Sequence, residues 1–334
     1  MKYLGSIDVG GTKTMVGIIG AEARAVTDRP EAQTLSDRYD AQILSKRHFH
    51  TTVDDCHTHF SHCRTHFNAC LSECRLTVDD LDGIGVNMPG MVDAATGRLL
   101  EAPFAGWYNI DVKDAFSRLL GTDKLFVEND VNACAVGELM FGNACDSFLW
   151  VTISTGIGGA IIVDRKLVSG SNSCAGELGH VKVEYEHPAE CSCGQWGCVE
   201  AHGSGTAITR MFAKKVMENF ELVHILAQKD LIPDAKGCAI LANEGNRDAI
   251  EVFHSAGEYI GRALSYATNL LNPQKIYIGG GVSNSLELLL PSIWPVFNRS
   301  TVRQCAGVEI VKTALGYDAA LLGAAALVLA KKMA

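Results

Sequence analysis

The stretch SIDVGGTKTMVGII, residues 6–19, joins two short apolar runs through a Gly-Gly turn. A tight glycine turn between two apolar runs is typical of a β-hairpin. The stretch TISTGIGGAIIV, residues 152–163, repeats the same order of apolar strand, Gly/Thr turn and apolar strand. This repetition predicts that two similar α/β halves make up the chain, each of them built on such a hairpin.

The composition is that of a globular protein rich in tight turns. The chain has 334 residues, of which 47% are hydrophobic and 20% are charged, and 33 of them are glycine. Two domains are the natural expectation at this length. The net charge of -9 argues against a nucleic-acid partner. The longest apolar run, Ala319 to Ala330, is too short to span a bilayer and is typical of a buried helix.

Twelve cysteines point to the redox environment of the protein. The strand-like run that begins at Tyr3 is expected to leave no room for a cleavable leader or an added DNA-binding domain. Without a secretion signal, the cysteines indicate reduced thiols, some of them bound to metal, in a cytoplasmic protein.

One short segment has the composition of a metal site, GHVKVEYEHPAECSCGQWGCVE at residues 179–200. Its His180, Cys191, Cys193 and Cys198 form a Cys3His set, which is typical of a filled tetrahedral zinc site. Catalytic zinc usually keeps one position open for water, and four protein ligands leave none. The segment therefore predicts a structural zinc, with an unmetallated thiol cluster as the alternative.

Three glycine-rich turns are candidates for phosphate binding. DVGGTK and STGIGG each place consecutive backbone N–H groups where no Cβ blocks a phosphate, and IGGG follows at residues 278–281. None has the P-loop or Rossmann spacing, and a single glycine turn is often only structural. Together they favour a nucleotide with several phosphates. Asp8, at the end of the first strand, is the candidate to hold Mg²⁺ through water.

The run ENDVN, residues 128–132, places an aspartate directly after an apolar strand. A carboxylate in this position can accept a proton from an attacking hydroxyl. The alternative interpretation of an Asn-Asp turn is an ordinary helix N-cap.

These segments together resemble the ROK family of sugar kinases and sugar-responsive regulators, within the actin-like ATPase superfamily. The resemblance covers nearly the whole chain. It rests on DVGGTKT, PGMVD, ENDVNACAVGE, STGIGGAI, GELGHVKVEYEHPAECSCGQWGCVEAHGSGTAI, YIGGGVSNS and ALGYDAALLGAAAL.

The resemblance implies an α/β fold of the two-lobed actin-like ATPase (ribonuclease H-like) type, with an interlobe cleft and a structural zinc loop. A small lobe is expected over residues 1–128 plus 318–334, and a large lobe with the zinc loop over residues 129–317. The helix Asp318–Lys331 is expected to return to the first lobe. The family also implies a homodimer or homotetramer.

The implied activity is ATP-dependent phosphorylation of a hexose at the 6-hydroxyl, with ATP, Mg²⁺ and a structural Zn²⁺ as cofactors. Asp130 is the expected general base. The expected sugar ligands are Gly90, Asn129, Glu177, His180 and Glu200. The expected contacts to ATP and Mg²⁺ are Asp8, Gly10, Gly11, Thr12, Lys13, Thr155, Gly156, Gly280 and Gly281.

The identity of the sugar stays open at this point. Glucose is the default from the resemblance, and the alternatives are kinases for mannose, fructose, N-acetylmannosamine or N-acetylglucosamine. A sugar-sensing regulator without a DNA-binding domain is an alternative of another class. A catalytically dead sugar-binding module is disfavoured, because Asp8, both glycine turns and Asp130 are present.

Four features depart from the family pattern. The stretch Ala21–Ile43 is longer than the usual connection, and APFAGW at residues 102–107 lacks the usual asparagine. Ser154 and Ala160 replace common glycines, and one extra residue separates His180 from Cys191. The first two departures are expected to affect which sugar is the substrate. The substitutions at Ser154 and Ala160 and the extra residue are expected to be tolerated.

A histidine-rich helix is predicted around residues 53–74. His59, His62 and His66 fall on one helical side and are either a second metal site or a solvated flank, of which the flank is favoured. Four cysteines of this helix are expected to be small core residues, namely Cys56, Cys63, Cys70 and Cys74.

Overall fold

The computed structural model describes residues 1–24 and 38–330 of the chain. The chain divides into two compact units. The first comprises Met1–Ser147, Ala160–Ala175 and Thr313–Ala334, and the second comprises Phe148–Gly159 and Gly176–Lys312. The predicted bounds of the two lobes stay a prediction.

The described residues contain strands in three sheets and a larger set of helices. In chain order the strands are β1 (Lys2–Val9), β2 (Lys13–Ala23), β3 (Tyr39–His50), β4 (Gly83–Met88), β5 (Met91–Asp93), β6 (Arg98–Ala102), β7 (Trp107–Asp111), β8 (Leu125–Asn129), β9 (Phe148–Ile153), β10 (Ile157–Val163), β11 (Lys166–Leu167), β12 (Lys275–Gly279) and β13 (Glu309–Lys312). The α-helices are α1 (Cys56–Cys74), α2 (Val112–Leu120), α3 (Asp130–Phe141), α4 (Val199–Gly203), α5 (Gly205–Glu218), α6 (Phe220–Gln228), α7 (Ala235–Asn243), α8 (Arg247–Leu271), α9 (Leu286–Ser300) and α10 (Ala319–Ala330).

The two large sheets have the same strand pattern. The first has the order β3-β2-β1-β4-β8, and the second has the order β11-β10-β9-β12-β13. In the first, β2 is antiparallel to β1 and β3, whereas β1, β4 and β8 are parallel. In the second, β10 and β11 are antiparallel, whereas β9, β12 and β13 are parallel. The repeat predicted from the two glycine hairpins is therefore confirmed.

Helices cover both faces of the first sheet. Alternate residues of a strand point to opposite faces, so Ile7 and Val9 pack with Phe60 and Phe67 of α1, whereas Leu4 packs with α3 and α10. Cys63 and Cys70 are buried, as predicted, and Cys56 and Cys74 are half-buried.

The closing helix α10 approaches its neighbours unusually closely. A Cβ built on Gly85 of β4 would lie 1.7 Å from the Ala324 carbonyl oxygen, and one on Gly323 would lie 2.5 Å from the Ala133 carbonyl oxygen of α3. Only glycine fits such contacts, since any side chain would force the backbones apart. The glycine and alanine content of α10 thus permits it to pack against both β4 and α3.

Several sequence-based expectations need correction. The sequence pattern predicts helix across roughly Gly205–Gln228, and the structure has two helices there, because Asn219 has an extended backbone and its side chain caps α6 by accepting from the Glu221 N–H. Helix α7 was not predicted. The expected excursion Ala21–Ile43 is narrower, since its ends belong to β2 and β3; residues 25–37 lie outside the described residues, as does Lys331 of the predicted closing helix.

The histidine-rich helix is real, but His59 is not on a solvated flank. Its side chain is fully buried, whereas His62 is exposed and His66 is half-buried. The three imidazoles do not form a metal-binding group among the described residues. Across residues 1–24 and 38–330, no helix is long and apolar enough to cross a membrane.

Candidate active site

The carboxyl ends of three parallel strands carry polar residues in the first unit. Asp8 of β1 is in register with Asn87 of β4, and Met88 is in register with Asn129 of β8. Asp130 follows as the first residue of α3. Ligands of α/β proteins bind at this edge of a sheet, because loops and helix N-termini converge there.

Asp8 is a buried carboxyl group with an unusual proton affinity. It is 6% exposed. Burial and, after it, the charge of Asp130 raise its pKa from 3.8 to about 7, although the Asn87 hydrogen bond and the Lys13 charge act in the opposite direction. At Asp8 the positive charge of Lys13 therefore does not offset burial and the negative charge of Asp130. Carboxylate oxygens are the ligands that Mg²⁺ prefers, so Asp8 fits the magnesium that the resemblance implies.

Asn129, and not Asp130, is the N-cap of α3. The Asn129 Oδ1 accepts hydrogen bonds from the backbone N–H groups of Val131 at 2.9 Å and Asn132 at 3.1 Å. Its Nδ2 donates to the Gly90 carbonyl at 2.9 Å and to Asp130 Oδ1 at 3.0 Å. The Asn-Asp turn is thus a helix N-cap, with Asn129 and not Asp130 as the capping residue, and Asn129, Gly90 and Asp130 form one hydrogen-bonded group.

The first glycine turn is tied to its neighbours on both sides. Gly11 and Thr12 are exposed. Lys13 donates from Nζ to the Tyr317 hydroxyl at 2.8 Å, and its ammonium lies 5.0 Å from the centre of that ring. Thr51 donates from Oγ1 to the Gly10 carbonyl at 2.7 Å. Sequence reasoning missed Tyr317, although it lies in the motif ALGYDAALLGAAAL, and it missed Thr51, which belongs to none of the motifs.

The predicted zinc ligands converge in the second unit. One ligand atom from each of His180, Cys191, Cys193 and Cys198 lies within 4.8 Å of all the others. The Sγ atoms of Cys193 and Cys198 are 3.8 Å apart, and His180 Nδ1 is 3.6 Å from Cys191 Sγ. Tetrahedral zinc with bonds of about 2.0–2.3 Å separates its ligand atoms by about 3.6–3.8 Å. The donor set and its spacing therefore fit a structural zinc.

The two glutamates flanking this zinc loop differ in their contacts. Glu177 Oε2 lies 3.7 Å from His180 Nε2, and the other ring nitrogen, Nδ1, is the one that faces Cys191. Glu200 accepts from Ser192 Oγ at 2.7 Å and from the Ile157 N–H at 3.0 Å. Glu200 thus connects the zinc loop with the second glycine turn. Its predicted role as a sugar ligand stays a prediction.

The second glycine turn borders a cavity of about 730 Å³ in the second unit. Thr155 and Gly281 line this cavity, whereas Gly156 and Gly280 do not. Gly156 instead packs against the Glu200 carboxylate, and Gly280 has a φ of +83° and packs against the Ile153 carbonyl. The polar lining also includes Thr206, Asn284 and Ser285, which lie in motifs of the family resemblance, and Thr209, Asp234 and Lys236, which lie outside them.

The departures from the family pattern are accommodated locally. Pro103–Ala105 form a short 3-10 turn, and the half-exposed Phe104 ring lies beside Gly11. Ala160 is buried in β10, and the Ser154 carbonyl accepts from the Gly205 N–H at 2.7 Å.

Comparison with known proteins places the chain in a family. The family model described as ROK family matches residues 4–331. The chain belongs to the ROK family. The membership predicted from the sequence motifs is thus confirmed.

ROK proteins of two kinds are similar to this chain. The glucokinase of Halalkalibacterium halodurans is 35% identical over 259 residues, which are 76% of this chain and 78% of that protein. The xylose repressor of Bacillus subtilis is 30% identical over 252 residues, which are 75% of this chain but only 61% of the repressor.

A solved ROK structure supports the fold directly. The ROK family glucokinase from Streptomyces griseus, in complex with glucose and AMPPNP, is 28% identical with a TM-score of 0.78. The alignment covers 97% of this chain and 98% of that one. The predicted α/β fold of the actin-like ATPase type is confirmed.

Proposed function

We propose that this chain is an ATP-dependent sugar kinase that phosphorylates a hexose at its 6-hydroxyl, with glucose as the first candidate. The observation that carries the proposal is the pair Asp8 and Asp130 at the carboxyl ends of parallel strands, close enough that the charge of Asp130 raises the pKa of Asp8. One carboxylate for a cation and one for a proton are what phosphoryl transfer requires. The similarity to glucokinases supports the same function.

Asp130 is the general base in this proposal. The 6-oxygen attacks the γ-phosphorus of ATP while its proton passes to the Asp130 carboxylate, and the bond from phosphorus to the ADP oxygen breaks. The Asn129 amide, 3.0 Å from Asp130 Oδ1, orients the carboxylate. Because Asn129 already caps α3, Asp130 is not required for the cap.

The first glycine turn is proposed to bind phosphate. The backbone N–H groups of Gly11 and Thr12 and the Lys13 ammonium oppose the negative charge of the phosphates, whereas the Gly10 N–H already donates to the Lys13 carbonyl at 3.1 Å. Asp8 would hold Mg²⁺, which supplies further positive charge when bound. The adenosine would occupy the cavity lined by Thr155 and Gly281, with Gly156 and Gly280 shaping its edge.

The zinc loop is proposed to position sugar ligands and to take no part in the chemistry. Because Nδ1 of His180 faces Cys191, Nε2 remains beside Glu177, where a sugar hydroxyl would bind. Glu200, Asn129 and Gly90 complete the proposed ligand set.

A sugar-responsive regulator is the second candidate, and the similarity to the xylose repressor favours it. The two functions make different demands on the site. A regulator needs only to bind sugar, whereas a kinase also needs Asp130 as a base and a bound nucleotide.

A screen of hexoses with purified protein tests the proposal. Glucose, mannose, fructose, N-acetylmannosamine and N-acetylglucosamine are each supplied with MgATP, and ADP release is coupled to an optical readout. We expect the highest kcat/KM for glucose. Sugar binding in calorimetry without turnover on any of the five would refute the kinase and favour the regulator.

A further inference from the structure

His59 is a buried histidine that the proposed chemistry leaves without a role. It lies in the first turns of α1 with no exposed surface. Its ring is 5.6 Å from the Phe49 ring and 5.7 Å from the Trp107 ring, measured between centres. A buried imidazole is costly unless both of its nitrogens form hydrogen bonds.

Both ring nitrogens of His59 have partners. The backbone N–H of Thr52 donates to Nδ1 at 3.2 Å, and Nε2 is 3.0 Å from Thr14 Oγ1. Thr14 Oγ1 is in turn 2.9 Å from Thr51 Oγ1, which donates to the Gly10 carbonyl at 2.7 Å. A continuous chain of hydrogen bonds thus runs from His59 to the first glycine turn.

The two ends of this chain fix the direction of every hydrogen bond in it. An amide N–H can only donate, so His59 Nδ1 carries no proton and the neutral ring bears its proton on Nε2. A carbonyl can only accept, so Thr51 Oγ1 donates to Gly10. Thr14 therefore accepts from His59 and donates to Thr51. Burial lowers the pKa of His59 to about 4, with a further contribution from the charge of His62, in keeping with this neutral ring.

The last hydrogen bond sets the orientation of a peptide group. The Gly10 carbonyl and the Gly11 N–H belong to the same planar peptide, and in a trans peptide they point in opposite directions. Because Thr51 holds the carbonyl, the N–H of the exposed Gly11 points away from Thr51. The Thr51 backbone N–H also donates to the Thr12 carbonyl at 3.1 Å, which fixes the peptide between Thr12 and Lys13.

We propose that His59 is a positioning residue that acts through Thr14 and Thr51 to hold the Gly11 N–H toward a nucleotide phosphate. The inference rests on the proposed function, which places phosphate at this turn. An N–H fixed before binding stabilises phosphate without the cost of reorienting the peptide. A glycine turn without this support would adopt several peptide orientations, because glycine restricts its own backbone so little.

Isosteric variants of the threonines test the proposal with little risk to folding. Thr14→Val and Thr51→Val each break the chain, whereas Thr14→Ser and Thr51→Ser keep the hydroxyl. His59→Phe removes both hydrogen bonds in an aromatic environment, and His57→Gln changes an exposed histidine of the same helix as the control. The dissociation constant of MgAMPPNP is measured by calorimetry, together with KM for ATP and for sugar.

We expect each valine variant and His59→Phe to weaken MgAMPPNP binding and raise KM for ATP about tenfold, the scale of one hydrogen bond to a charged group. KM for the sugar should change less than about twofold, and the serine variants should restore wild-type values. Thr14→Val combined with Thr51→Val should lose no more than either alone, since both break one chain.

Wild-type nucleotide affinity in the valine variants, or multiplicative losses in the double variant, would overturn the proposal. Nitrogen-15 NMR of labelled histidine gives a readout independent of activity: His59 should show the Nε2–H tautomer at neutral pH, and the opposite tautomer would also overturn it. If instead the proposed kinase function is wrong, calorimetry will detect no MgAMPPNP binding to the wild-type protein itself, and this result is distinct from a failure of the positioning role.

Discussion

Replacing Asp8 by asparagine should stabilise the protein while abolishing its activity. When folding raises the pKa of an acid, the protonated acid costs the folded state nothing below the unfolded pKa. As pH rises from the unfolded pKa to the folded pKa, the ionised acid progressively lowers the free energy of unfolding, and the full cost applies above the folded pKa. For Asp8 the window runs from 3.8 to about 7. One pH unit corresponds to about 1.4 kcal/mol, so the buried charge costs up to about 4 kcal/mol above pH 7. An asparagine side chain at this position would have the same shape without this cost.

The assay is urea unfolding without nucleotide or magnesium, for wild type and Asp8→Asn at pH 5 and pH 8. We expect the free energy of unfolding of Asp8→Asn to exceed that of wild type by about 2–4 kcal/mol at pH 8 and by clearly less at pH 5. Asp123→Asn, an exposed aspartate before β8, is the matched control. An equal difference at both pH values, or a less stable variant at pH 8, would refute the reasoning.

Three further predictions concern the proposed chemistry. Asp130→Asn should lower kcat by about 10²–10⁴-fold with far less change in KM, because asparagine cannot take the proton while Asn129 still caps the helix. Near-normal turnover of this variant in steady-state kinetics would show that Asp130 is not the general base. Metal analysis should find about one zinc per chain, and Cys193→Ser should lose metal and sugar binding together, which a fully active zinc-free preparation would contradict. Glu177→Gln and Glu200→Gln should raise KM for sugar more than they lower kcat. An effect on kcat alone would contradict a role of these glutamates in sugar binding.

Sequence reasoning succeeded where the relevant residues are close along the chain. The four zinc ligands lie within residues 180–198, so their spacing alone predicted the cluster that the structure forms. Asp8 lies at the end of one apolar strand and Asp130 directly follows another, and strand ends at a sheet edge converge whatever the details of packing.

Sequence reasoning failed where the environment of a residue depends on a partner that is distant in the sequence. Helical periodicity placed His59 beside two solvated histidines, but its burial depends on Thr14, 45 residues earlier in the chain. The contact between Lys13 and Tyr317 spans 304 residues and has no local signal. The break at Asn219 was missed for another reason, because the apolar pattern continues through it and only the cap ends the helix.

The position of α10 has a consequence for biosynthesis. Ser6 of β1 donates to the Leu321 carbonyl of α10 at 2.5 Å, across 315 residues. The part of the first sheet that α10 covers therefore stays uncovered until residues 319–330 have been translated and have left the ribosome. Contacts this distant form late, since a long loop must close first. A nascent chain stalled before residue 319 would thus expose apolar side chains such as Leu4 and Ile19 to chaperones.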